Sequence, residues 1–275
     1  MPDRSKNPGK RLLALAQEEC RTLHAALEQR QDASASVHEA RTAIRRLRSL
    51  FALAEDRVDG LVNLDRSLDR LGKGLSALRD AHVVVATARK LAAMDSTVPW
   101  AAFIEALVRR HDAMLARDTA LDPGFGRRRR VARRIERALE TLDWSPLRAI
   151  DVRSALKRSQ RRSGRAGRRA KETPTPENMH CWRRRMRRLR MQLEAVRKAR
   201  PDIAKAVAKR SLRKELKDLH EVSDELGWQQ DLEVLRDRIG QMKTAPDRML
   251  LSQHVRATLG MTHPGGDEGA TPHSG

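Results

Sequence analysis

A histidine followed by arginines three, seven and ten residues later occurs twice in this chain. The first copy is "HEARTAIRRLR" at 38–48, carrying His38, Arg41, Arg45 and Arg48. The second is "HCWRRRMRRLR" at 180–190, carrying His180, Arg183, Arg187 and Arg190. A guanidinium presents a planar fork of N–H donors and stays charged at physiological pH, which suits bidentate contact with phosphate oxygens. Histidine adds a donor whose charge switches near neutrality. The chemistry on offer is the binding of oxyanions.

Spacing on a helix sharpens this. At about 100° per residue, with His38 at zero, Arg45 falls near −20°, Arg41 near −60° and Arg48 near −80°. Ala40, Ala43, Leu47, Leu50 and Phe51 take the opposite arc, and only Arg46 leaves the basic one. In the second copy the basic arc stands opposite Trp182, Leu189 and Leu193. A basic arc is ordinarily just the wet side of an amphipathic helix, where acids interspersed at i, i+4 relieve repulsion. Here Glu39 is the one acid between His38 and Arg48, and there is none between His180 and Arg190. Like charges so close raise the energy of the free protein, and an anion along the stripe relieves it.

Further basic stretches occur: Arg127, Arg130, Arg134 and Arg137 at helical spacing; Lys157, Arg158, Arg161, Arg162, Arg165, Arg168 and Arg169 within "ALKRSQRRSGRAGRRAK"; and Lys205, Lys209, Arg213 and Lys217 along a single side. The chain carries 57 Lys+Arg against 36 Asp+Glu, a formal charge of +21 over 275 residues. Such a balance calls for a polyanionic partner without choosing which. Basic faces turned toward one cavity would focus the field into a positive channel.

The elements that must position these groups all read as helices. Helical periodicity predicts helices over 12–27, 36–55, 61–91, 100–121, 126–144, 147–172 and 176–199, then one opened by Pro201 and another over 212–239 with Gly227 as a break or kink. Thr175 is placed to cap, with Pro176 in the first turn, where its missing N–H costs nothing. No segment alternates like a strand, and the absence of Tyr disfavours sheets built on aromatic pairs. The predicted class is all-α. "LSALRDAHVVV" (75–85) aligns with "LGWQQDLEVLR" (226–236), keeping Asp80 with Asp231 and Val83 with Val234. With the two histidine–arginine helices this predicts an internal duplication: repeats at 1–145 and 146–260 forming two pseudo-symmetric bundles, then a disordered tail at 261–275.

Cys20 and Cys181 form no CxxC pair and read as reduced thiols. No run approaches the ~20 apolar residues of a membrane span, and the start has no apolar core of signal-peptide length. A cytoplasmic chain without membrane insertion is expected.

"VHEARTAIRRLRSL" with "RDAHVV", then "GRAGRRAKETPTPENMHCWRRRMRRLRMQLE" with "LGWQQDLEVL", resemble the CHAD domain, the α-helical domain named for its histidines. The resemblance spans about residues 10–245. It implies two four-helix bundles flanking a basic surface that binds inorganic polyphosphate, often with localisation to polyphosphate granules. The residues it carries over are His38, Arg41, Arg45, Arg48, His180, Arg183, Arg187 and Arg190, with Lys157, Arg161 and Arg165 beside them. Two departures stand out: Gln160 where relatives often have Tyr, and His82 where they often have an acid. The chain has no room for the triphosphate-tunnel enzyme domain appended in many relatives, so no catalysis is imported.

Three functions follow from these residues. Polyphosphate has no bases, so Arg/Lys contacts and counterion release would suffice to hold it, with Lys209 and Arg213 extending the surface. Nonspecific RNA binding is the alternative, although single-strand binders add aromatic platforms and this chain has three Phe, four Trp and no Tyr. An enzyme is disfavoured by the absence of HExxH, a Walker motif or ligands at metal spacing. No cofactor or metal is expected.

Overall fold

Why the repeated helices form is plain at their ends. In the computed structural model, which describes residues 7–29, 33–242 and 247–261, the helix Pro176–Ala199 starts as its sequence dictates. Thr175 Oγ1 accepts from the Asn178 backbone N–H at 3.3 Å, Pro176 takes the first turn, and Glu177 lies beside it, where a negative charge complements the helix dipole. The helix Ala33–Ala54 is held instead by its buried stripe: Ala40, Ala43, Leu47, Leu50 and Phe51 are all at most 2 % exposed.

In chain order the helices are α1 (Pro8–Glu28), α2 (Ala33–Ala54), α3 (Leu61–Gly74), α4 (Ser76–Met94), α5 (Ala101–Leu121), α6 (Gly126–Thr141), α7 (Ala149–Glu172), α8 (Pro176–Ala199), α9 (Pro201–Val207), α10 (Leu212–Gln241) and α11 (Arg248–Met261). A 3-10 turn, Pro123–Phe125, precedes α6. Among the described residues there is no strand, and no helix is long and apolar enough to cross a membrane. The protein is all-α.

One predicted helix is two. The pattern over 61–91 breaks at Leu75, whose N–H turns back to the Gly72 carbonyl at 3.2 Å and closes α3. Gly72 and Gly74 each cost the helix about 1 kcal/mol relative to alanine, which weakens it there. Gly227, by contrast, neither breaks nor interrupts α10, which runs through it.

The chain forms two compact units, and each draws on both halves of the sequence. Of the described residues, the first unit comprises those up to Asp80 and Asp112–Asp224; the second comprises Ala81–His111 and those from Glu225 onward. In the first, α1 packs on α2, α7 on α8, and α2 on α8, so the two histidine–arginine helices share one core. The compact units therefore cut across the boundary at 145/146 drawn from the repeats. The core of the second unit is built around Trp100, Phe103, Leu91, Leu232, Leu235 and Leu251. Of the tail expected to be disordered, Met261 closes α11 and residues 262–275 lie outside the described residues.

Two close approaches fix α8. A Cβ on Gly167 of α7 would lie 2.9 Å from Trp182 Nε1, so glycine is what lets the indole approach that helix so closely. Gln192, fully buried on α8, donates from Nε2 to the Ser49 carbonyl of α2 at 3.2 Å.

Candidate anion-binding site

With the apolar arc of α2 spent on the core, its arginines face α3 and the start of α4 on one side and α8 on the other. Arg41 Nη1 donates to the Gly72 carbonyl and to Ser76 Oγ, both at 2.7 Å. The break in the α3–α4 pattern thus supplies the acceptors that anchor Arg41. Arg45 Nη2 donates to Thr42 Oγ1 at 2.7 Å. The Nε atoms of Arg41 and Arg45 are buried without a hydrogen-bond partner among the described residues.

A cavity of about 290 Å³ opens beside Arg45. Helix α2 contributes Arg45, Arg48 and Ser49 to its wall, and α3 contributes Asp69. Helix α8 contributes Arg184, Arg185, Arg187, Arg188 and Met191. Six guanidiniums therefore meet one carboxylate. The side chains of Arg184, Arg185, Arg187 and Arg188 make no hydrogen bond or ion pair among the described residues.

The electrostatic consequence falls hardest on two groups. Burial lowers Arg45 to about 10, helped by the charges of Arg41, Arg79, Arg183 and Arg46. Burial lowers Arg187 to about 9, helped first by Arg45 and then by Arg183, Arg79 and Arg41. Both remain cationic at pH 7, held among like charges in a partly desolvated place. Arg188 is lowered too, by burial and then by Arg48.

Not every arginine of the repeated motif is available. Arg48 lines the cavity, but its Nε and Nη2 grip Asp65 at 2.8 and 3.0 Å while Nη1 donates to Asp69 at 2.5 Å. Those carboxylates hold Arg48 above its ordinary pKa, the Asp65 hydrogen bonds foremost. Arg190 turns toward Glu194 at 3.8 Å and contacts His220 Nδ1 of α10. Arg183 lies close enough to act on Arg45 and Arg187 without lining the cavity. His38 and His180 sit exposed near the N-terminal ends of α2 and α8, and neither lines it.

The other sequence candidates lie elsewhere. Lys157, Arg161 and Arg165 share the exposed face of α7, and the cavity wall includes none of them. The neighbouring Arg158 and Arg162 instead meet Arg185 and Arg188 in a small crevice over Ala52 and Glu55. Arg158 pairs there with Asp56. Lys209 borders a separate cavity between α7 and α8, where its backbone N–H donates to Glu215 Oε2 at 2.6 Å. Arg213 is exposed on α10. Gln160, the departure from the family's Tyr, bridges the Val207 carbonyl and Glu215 Oε1, both at 3.0 Å, a structural tie from α7 to α9 and α10. His82 belongs to the second unit, with its ring 6.1 Å from that of His111.

Sequence reasoning missed Arg79, Arg184, Arg185 and Arg188, as well as the acids Asp65 and Asp69. The signal for the arginines was present. A run that places arginine at 183, 184, 185, 187, 188 and 190 covers far more than one arc, so α8 must be basic toward α3 and α7 as well.

Chemically the wall offers donors. Ser49 Oγ is buried and donates to the Arg45 carbonyl at 2.7 Å. Among the described residues no group of three or more His, Cys, Asp or Glu side chains is placed to hold a metal ion.

The comparisons bear on the fold that assembles this cavity. No curated protein matches the chain. The crystal structure of the CHAD domain from the plant Ricinus communis superposes with a TM-score of 0.63 at 21% identity, covering 91% of this chain and 83% of that one. At that identity the likeness concerns the fold. The family model for the CHAD domain matches residues 13–240, a span that takes in α2, α3 and α8. An arginine cavity built by α2 and α8 from opposite halves of the sequence is thus set in a chain that belongs to the CHAD domain family.

Proposed function

We propose that this protein binds inorganic polyphosphate without transforming it, at the arginine cavity between α2, α3 and α8. One observation carries the reading. Arg45 from the first histidine–arginine motif and Arg187 from the second line one cavity, half-buried, and Arg187 has no carboxylate partner among the described residues. Guanidiniums held together against their own repulsion are stabilised by a ligand that brings several adjacent negative charges. The association of CHAD domains with polyphosphate supports the same choice. Among the described residues the wall contains no aromatic ring on which a base would stack, which favours a base-free polymer over RNA. Donors without a free nucleophile or paired general base support holding rather than hydrolysis. Residence on polyphosphate granules would follow from such affinity.

The deciding experiment is a binding series against salt, using long-chain polyphosphate and an RNA of matched charge. Polyphosphate should bind tighter at every ionic strength and displace the RNA. RNA that resists excess polyphosphate would transfer the function to nucleic acid. Release of orthophosphate from polyphosphate would make the protein an enzyme.

A further inference from the structure

We propose that Asp69 is a built-in anionic competitor that sets how many linked phosphates a ligand must bring before the arginine cavity holds it. This deepens the polyphosphate reading and rests on it.

Among the described residues Asp69 is the one acid in the cavity wall. Its Oδ1 accepts from Arg48 Nη1 at 2.5 Å, and its Oδ2 lies 2.8 Å from Lys73 Nζ, one turn further along α3. Asp65 plays a different part. It grips the opposite edge of the same guanidinium through both oxygens and stays out of the wall, so it holds Arg48 in place whatever else happens. Asp69, itself part of the wall, therefore occupies an N–H of Arg48 that a phosphate oxygen in the cavity would otherwise take.

The competitor has somewhere to retreat. Lys73 is 76% exposed and pairs with Asp69 at i, i+4, so the carboxylate keeps a cationic partner when it swings off Arg48 toward solvent. Displacement then exchanges one carboxylate for one phosphate on Arg48, with little net gain for a lone phosphate. A polymer differs. Once its other phosphates rest on Arg187, Arg45 and Arg184, the next one is presented to Arg48 at high effective concentration and the exchange becomes intramolecular. Orthophosphate and short oligophosphates lack that advantage. The cavity is thereby biased toward long chains.

The test compares tripolyphosphate with long-chain polyphosphate on the full chain and its variants. Asp69→Asn should tighten tripolyphosphate by about threefold to tenfold and long-chain polymer by less, narrowing the ratio between them. Asp69→Ser, which keeps neither charge nor shape, should move the same way. Asp202→Asn is the control. It releases Arg200 from a carboxylate at 2.9 and 2.7 Å outside the cavity, so it reproduces the change in net charge alone. An equal gain in the Asp202 variant, or weaker binding in both Asp69 variants, would overturn the proposal; the second result would make Asp69 a positioning residue for Arg48. If the unaltered protein binds neither ligand above the level of an equally basic unrelated protein, the polyphosphate reading itself fails.

Discussion

Arg45 of α2 and Arg187 of α8, 142 residues apart in the chain, line one cavity, and after burial it is the charge of Arg45 that most depresses Arg187. A pair of like charges from two distant helices is held together by the apolar packing of those helices, not by attraction between the groups themselves. Leu47 and Leu193, both buried without measurable exposure, belong to the core that does so.

Reversing both charges should therefore abolish the site and spare the fold. Arg45→Glu with Arg187→Glu is expected to weaken long-chain polyphosphate binding by about a hundredfold, as fits the loss and reversal of two buried contacts. Circular dichroism should report unchanged helicity. A collapse of helicity would show that these side chains hold the core.

Salt dependence counts the contacts. The logarithm of the binding constant should fall linearly with that of salt concentration, and Arg187→Gln should reduce the slope by about one. An unchanged slope would place Arg187 outside the ligand's reach.

Binding should also respond to alkali. Below about pH 9 Arg187 is protonated in both the folded and the unfolded chain, so it gives stability no slope there. Between about 9 and the higher, ordinary arginine value the unfolded chain binds the extra proton, so the free protein gains stability from this group as pH rises. A phosphate chain favours the charged form, so affinity should hold steady near neutrality and fall above about pH 9, with Arg45 adding to the fall near 10. Calorimetry on either side of that pH checks this, and Arg187→Gln should flatten the first part of the fall.

The apolar arc gives the opposite result from the basic one. Leu47 is fully buried, and Leu47→Asp puts a charge into the core of the first unit. A loss of about 3–5 kcal/mol in unfolding free energy is expected from denaturant titration. A loss below 1 kcal/mol would mean that the face assignment is wrong.

Gly167→Ala tests the seat of α8. Alanine gains about 1 kcal/mol of helix propensity, yet its Cβ would meet Trp182 Nε1 at 2.9 Å and Cε2 at 3.1 Å, and overpacking costs about 1–3 kcal/mol. The indole is rigid, so the clash should win and Tm should fall. A rise in Tm would show that the indole swings aside freely.

Much of this was legible from spacing. The caps at Thr175 and Pro176, the apolar arc of α2, and the basic arcs of both motifs follow from a 3.6-residue period that any helix imposes on its own side chains. The break at Leu75 was partly legible in Gly72 and Gly74. What that period cannot show is which neighbour a side chain meets. Lys157, Arg161 and Arg165 share an arc as regular as that of Arg45, yet their arc faces outward while Arg158 and Arg162 look toward α8. Arg48 and Arg190 keep perfect register with their fellows and still end against carboxylates from α3 and α8.

The sequence by itself determined the helices, their polar and apolar sides, and the excess of arginine over any acid within reach along the same helix. Those are local properties, set by residues within a turn or two of one another. Tertiary structure alone decided that α2 and α8 share a core, that Arg184, Arg185 and Arg188 join Arg45, and that Asp69 stands among them. Such juxtapositions depend on how buried stripes from distant segments pack, and two helices with the same arc can be packed to face each other or to face water.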